Sequence, residues 1–143
     1  MDTMPTIVFL QKVPKRKEPP APAEALTLVA GLGVEGDHHA RAGSSRQVLL
    51  MSEENGDAFG LAPGEVRENI VTRGIDLQAL PAGTRLEIGG AALEITKDCE
   101  PCVFIERIRP GLRDRMVGRR GMLARVLQSG LIRVGDEIVL KIP

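Results

Sequence analysis

Two cysteines stand three residues apart in Cys99-Glu100-Pro101-Cys102. The run follows an apolar stretch with strand character, and Pro101 suits the opening of a helix. The pattern predicts a helix over 101–108 with Cys102 in its first turn, where unpaired backbone N–H groups stabilise a thiolate. A thiolate is the form needed by a soft-metal ligand, a persulfide carrier or a nucleophile. Two small core thiols would have the same spacing. Thioredoxin-like chemistry also uses a Cys-x-x-Cys pair, but the βαβ pattern it requires does not surround this one. Zinc would need two further ligands. The only histidines, His38 and His39, are neighbours that point opposite ways in extended chain.

Arginine is the second chemical feature. From Arg41 onward every basic residue is Arg except Lys97 and Lys141. Guanidinium forks match phosphate bidentately, although a biased genome composition gives the same preference and most of these residues read as solvated charges. The chain has 19 basic and 19 acidic side chains, so its formal net charge is zero. That removes any bulk attraction to nucleic acid or an anionic membrane, and an anion site must be a local arginine cluster.

The elements that must position these groups are short. At 143 residues the chain fits one domain, 1–143. Sixteen glycines and ten prolines are spread as punctuation between apolar runs. Thr6 to Val13, Leu26 to Ala30, Gln47 to Met51 and Glu68 to Thr72 read as strands, the third being apolar enough to be buried on both faces. Ser52 is an N-cap for a short helix to Phe59. Thr84 to Ile88 and Ala92 to Thr96 form a hairpin around Gly89-Gly90. Met122 to Leu127 and Glu137 to Ile142 supply the last strands, and Pro110-Gly111 stops the helix after Cys102. About eight short strands with helices only near 52–59 and 101–108 predict a mainly β fold, a closed or nearly closed barrel.

Composition excludes several classes. There is no Trp or Tyr, and Phe9, Phe59 and Phe104 are the only aromatic rings besides the histidines, too few for a stacking surface on single-stranded nucleic acid. The opening Met1-Asp2-Thr3-Met4-Pro5 lacks the regions of a signal peptide, and no apolar stretch approaches a membrane span. A reducing cytoplasm, with free thiols, is the expected location.

The ordered set Gly36-Asp37-His38-His39, Arg46-Gln47-Val48, Glu68-Asn69-Ile70, Gly74-Ile75-Asp76-Leu77, Leu86-Glu87-Ile88-Gly89, Pro101-Cys102, Gly121-Met122-Leu123-Ala124-Arg125-Val126 and Gly135-Asp136 resembles the MOSC domain over roughly residues 5 to 141. That family is a β-barrel found at the C-terminus of molybdenum-cofactor sulfurases, in amidoxime- and hydroxylaminopurine-type reductases, and as single-domain proteins. The resemblance places its hallmark cysteine at Cys102, not Cys99. It implies a pyranopterin molybdenum cofactor, with Cys102 as thiolate ligand to molybdenum and as the catalytic residue. Arg67-Glu68-Asn69-Ile70-Val71 is similar to the segment whose Arg and Asn hold the cofactor's phosphate and pterin; Arg67, two residues before Asn69 on the predicted strand, would face the same side of the sheet, and Arg46 and Asp37 match polar positions near that pocket. Two departures stand out: many bacterial members have Gly where this chain has Arg67, and the usual Gly-Asp-Arg-His reads Gly-Asp-His-His here, a titratable group in place of a fixed charge.

Three functions follow. The chain binds molybdenum cofactor through Cys102 and serves as a reductase component for N-hydroxylated substrates, with a separate electron donor. Alternatively Cys102 carries a persulfide or delivers cofactor, working with a sulfurase. The third reading is a binding barrel without turnover. The chain has no room for an iron–sulfur, flavin or pyridoxal-phosphate module.

Overall fold

The computed structural model describes residues 4–143; Met1-Asp2-Thr3, part of the run read above for a signal peptide, lie outside them. The elements in chain order are β1 (Thr6–Lys12), β2 (Ala21–Pro22), β3 (Ala25–Val29), β4 (Gly33–Val34), β5 (Val48–Ser52), α1 (Glu53–Ala58), β6 (Ile70–Arg73), β7 (Arg85–Ile88), β8 (Ala91–Asp98), α2 (Val103–Ile108), α3 (Leu112–Arg115), β9 (Met122–Gln128), β10 (Gly130–Arg133) and β11 (Ile138–Lys141).

Eight strands make one curled sheet in the order β11-β7-β8-β9-β5-β6-β1-β2. β6 occupies one edge of β1, and β2 and β11 divide the other. β2 pairs at Gln11 and Lys12. β11 approaches at the start of β1, where Thr6 bridges Glu137 and Ile7 N donates to Asp136 O at 3.0 Å. The barrel is therefore nearly closed, and few strand edges stay exposed. A small sheet, β10-β3-β4, adds Leu26, Leu28, Val34 and Ile132 to the same core.

β5 shows how sequence sets the layers. Successive side chains of a strand face opposite ways. Val48 and Leu50 enter the barrel core. Leu49 turns outward to Cys99 and Leu123, and Met51 packs with Phe59, Val66, Ile105, Leu112 and Met116 under the helices. All five residues are buried, which is why the strand reads as an unbroken apolar run. β5 also pairs in parallel with β6; such a pair needs a crossover, and α1 with the 59–69 loop provides it. Ser52 caps α1, its hydroxyl accepting from Asn55 N at 3.1 Å.

The predicted hairpin forms with Ile88 opposite Ala91. Three expectations are corrected. Helices are not confined to 52–59 and 101–108: α3 follows Gly111, whose φ of 85° starts a new turn after the Pro110 stop. Cys102 lies ahead of α2 as its N-cap, with extended torsions (φ −119°, ψ −178°), because the chain leaving β8 stays extended while Cys99 N is tied to Gly121 O at 2.9 Å. Arg67 is not on a strand. It adopts φ 66° in a turn closed by its amide on Gly64 O at 3.1 Å, and β6 begins only at Ile70, so Arg67 and Asn69 do not share a strand face.

Candidate functional site

Both thiols sit where β8 leaves the barrel wall, and both are free. Cys99 is 7% exposed and packs on Leu49 and Leu123. Burial pushes its thiol up, while the nearby guanidiniums of Arg120 and Arg46 pull the other way. Cys102 is exposed, and its side chain makes no capping hydrogen bond to α2. The solvent-accessible thiol is therefore Cys102, and the buried one is Cys99.

Arg120 is the group that sequence reading passed over. It is only 5% exposed. One of its terminal nitrogens donates to Val66 O at 3.0 Å, and its Nε and other terminal nitrogen are enclosed without a hydrogen-bond partner among the described residues. Interior donors are seldom left so. The adjacent Gly121 explains the placement. Its φ is 119°, and a Cβ there would lie 2.4 Å from Leu50 O, so the backbone presses against β5 and Arg120 is fixed inward. The signal available in sequence was Arg120-Gly121 at a strand start, which does not distinguish a buried arginine from the exposed ones around it.

Arg120 faces a loop that folds around Glu68. That carboxylate is buried and accepts from Val66 N at 3.2 Å. Burial raises its pKa, against backbone amides and the Arg120 charge. From the same loop Arg67 extends to the basic segment, donating to Arg16 O at 2.8 Å and Lys15 O at 3.4 Å through one terminal nitrogen.

Asp37 and Asn69 meet directly. Asn69 Nδ2 donates to Asp37 Oδ1 at 3.0 Å and to Gln11 O at 3.3 Å, while its Oδ1 accepts from Leu49 N at 3.0 Å. Asp37 also accepts from Val13 N at 2.7 Å and His39 N at 3.0 Å, with His39 Nδ1 at 3.3 Å. Burial alone would raise this carboxyl, but the His39, Val13 and Asn69 contacts outweigh it and hold it low. The rings of His38 and His39 lie against each other, tilted by 43° with 3.7 Å between centroids. Burial lowers the pKa of His38, as do the charges of His39, Arg67 and Arg16.

The structure thus brings Asp37 to Asn69, and Arg46 and Arg120 into the electrostatic neighbourhood of Cys99. Arg67 groups with His38 and the 15–16 segment, and none of its hydrogen bonds reaches a thiol. Two concavities lie elsewhere: one of about 10 Å³ between α1 and Glu68, room for a single water, and an open cleft of about 320 Å³ lined by Ser52, Glu54, Asn55 and Gly74 to Asp76. Neither has a thiol or an arginine in its wall. Among the described residues no group of three or more His, Cys, Asp or Glu is arranged for a metal ion, and no helix is long and apolar enough to cross a membrane.

A nearly closed barrel of short strands with a cysteine at the exit of β8 defines a class, and comparison with known proteins gives its name. The family model of the MOSC domain matches residues 36–139, and the chain belongs to that family. The crystal structure of the YuaD protein from Bacillus subtilis is similar, with TM-score 0.80 and 23% identity over 96% of each chain. YiiM from Geobacillus stearothermophilus gives TM-score 0.76 at 20% identity, covering 96% of this chain and 75% of that one. YiiM from Escherichia coli gives 0.69 at 19%, covering 96% and 71%. No curated protein matches.

Proposed function

We propose that this chain acts as a single domain that binds the pyranopterin molybdenum cofactor of its family, with Cys102 as the protein thiolate on the metal. The observation that carries the reading is an exposed thiol at Cys102 three residues beyond Cys99, whose own thiol feels the buried, incompletely paired guanidinium of Arg120. A soft thiolate suits molybdenum, and fixed positive charge suits a phosphate.

The residues present fit such a group in distinct ways. Arg46 is exposed beside Cys99, and Arg67 keeps Nε and a terminal nitrogen uncommitted, so both are available to an anion. Asp37 and Asn69 have spent their polar atoms on the protein, and their part is to hold the 37–39 loop against β5. When bound, the cofactor would supply a redox-active metal for oxygen removal from N-hydroxylated substrates, with electrons from a separate protein. The chain's own residues bind and orient it: Cys102 offers the ligand atom, three residues beyond the buried cluster of Leu49, Leu123 and Cys99.

A second reading is favoured by an exposed thiol three residues from a buried one that feels two guanidiniums: Cys102 carries sulfur as a persulfide, or carries cofactor, without turnover.

The test is molybdenum and pterin analysis of protein purified from molybdenum-fed cells. Wild type should retain both and Cys102→Ser should lose the metal. Retention should also be compared in Arg67→Ala, Arg46→Ala and the surface control Arg113→Ala. Equal molybdenum in Cys102→Ser and wild type would remove Cys102 as ligand.

A further inference from the structure

We infer that the fold holds Cys99 and Cys102 apart as two independent thiols, so that a small oxidised thiol that bonds to Cys102 stays there instead of being displaced by Cys99. The Cys-x-x-Cys pair is then a single reversible masking site and not a dithiol–disulfide couple. The inference goes beyond the cofactor and carrier readings and rests on neither.

Two anchored bodies set the separation. Cys99 belongs to the barrel wall. Asp98 before it pairs with Met122, its own amide donates to Gly121 O at 2.9 Å, and its side chain packs on Leu49 and Leu123. Cys102 belongs to the helical layer. It is the N-cap of α2, its carbonyl accepts from Ile105 N at 3.0 Å, and Ile105 is buried with Met51, Phe59 and Leu112. Drawing the thiols together would break contacts in one body or the other.

The spacer between them is stretched. Residues 99–102 form neither a bend nor a hydrogen-bonded turn. Three peptide units of extended chain carry the end Cα atoms toward roughly 10 Å, whereas a disulfide needs them within about 7 Å. Pro101 accounts for the stretch. Its ring disfavours the helical region for a preceding residue that has a Cβ, so Glu100 is confined to extended torsions. Pro101 is a positioning residue for Cys102.

The chemistry stops after one exchange. The Cys102 thiolate attacks one sulfur of a small disulfide and forms a new S–S bond, while the disulfide's own bond breaks and one small thiolate leaves with the electron pair. Closure would need the Cys99 thiolate to attack Cys102 Sγ and expel the second small thiolate. Cys99 is 7% exposed and its burial pushes the thiol up, which opposes that attack in addition to the separation. Release falls to an external thiol, by the reverse of the first exchange.

The experiment treats the reduced full chain with oxidised glutathione, removes the excess, and follows the adduct by peptide mass spectrometry in buffer and in urea. Native wild type should keep one glutathione on Cys102, and Cys99→Ser should load at the same rate. In urea the adduct should close to a Cys99–Cys102 disulfide about tenfold faster or more, the effect of freeing at least one net hydrogen bond. Pro101→Ala should close faster than wild type in buffer while its Cys99, in the untreated chain, stays protected from iodoacetamide, a combination that loss of the fold would not give. Closure in native wild type as fast as in urea, or failure of Cys102 to take the adduct, would overturn the inference. Closure in Pro101→Ala no faster than in wild type would remove Pro101 from the positioning role. Molybdenum retention is read separately, so none of these outcomes decides the cofactor reading.

Discussion

Asn69 donates its side-chain amide to the carboxylate of Asp37 at 3.0 Å across 32 positions of sequence, and both side chains are buried. Two residues that a family resemblance assigns to a ligand therefore hold each other. Asp37 gathers amides from Val13 and His39, Asn69 ties Leu49 and Gln11, and together they join β1, β5 and the 37–39 loop. Asp37→Asn should place an amide donor against donors and cost about 1–3 kcal/mol of stability. Urea denaturation measures it; a wild-type midpoint would show that the network is idle.

Stability should fall with acid in two steps. His38 has its folded pKa below the ordinary 6.5, so the folded state binds fewer protons than the unfolded one, and the contribution present above 6.5 is lost as pH drops through the folded value. Asp37 behaves likewise below the ordinary 3.8. His38→Gln should remove the upper step and Asp37→Asn the lower one in a urea-midpoint profile against pH. Unchanged profiles in both variants would place the acid sensitivity elsewhere.

Alkylation should separate the thiols. Cys102 is exposed, whereas Cys99 is buried with its thiol pushed up by that burial. Iodoacetamide at neutral pH should label Cys102 first, and Cys99 only once urea opens the fold. Faster labelling of Cys99, mapped by peptide mass spectrometry, would reverse their roles.

Gly121→Ala should cost about 2–4 kcal/mol, a value typical of a forced backbone shift in a core, since its Cβ would lie 2.4 Å from Leu50 O at a φ of 119°. Gly118→Ala is the control: its φ of 75° is also positive, but nothing lies within 4 Å of its Cβ. Comparable losses at the two positions, read from thermal melts, would show that backbone strain alone sets the cost and that contact with Leu50 adds nothing.

The barrel was legible because its strands carry their own instructions. Val48 to Met51 is apolar on both faces, and Gly89-Gly90 sits between two alternating runs. Short pairings such as β2 and β4, two residues each, carry no periodicity to read, and β10, four residues opening on Gly130, is too short to show one. The position of Cys102 was legible to within one residue of the helix start. Arg67 misled because a left-handed turn at a non-glycine residue has no composition signature, and Arg120 was hidden because burial of one arginine among many is decided by Gly121 and the Leu50 carbonyl, a contact 71 positions apart in sequence.

The seam between β1 and β11 has a bearing on synthesis. The strand made first has one edge shared with β2 and with the strand made last, through the Thr6–Glu137 bridge. While the chain emerges, that part of β1 and the outer edge of β7 have no neighbour, and both are templates for pairing with other nascent copies. A ribosome-arrested chain ending at Gly135 should therefore be sensitive to protease at Thr6 and Ile7, and one extended past Lys141 with room to clear the exit tunnel should not.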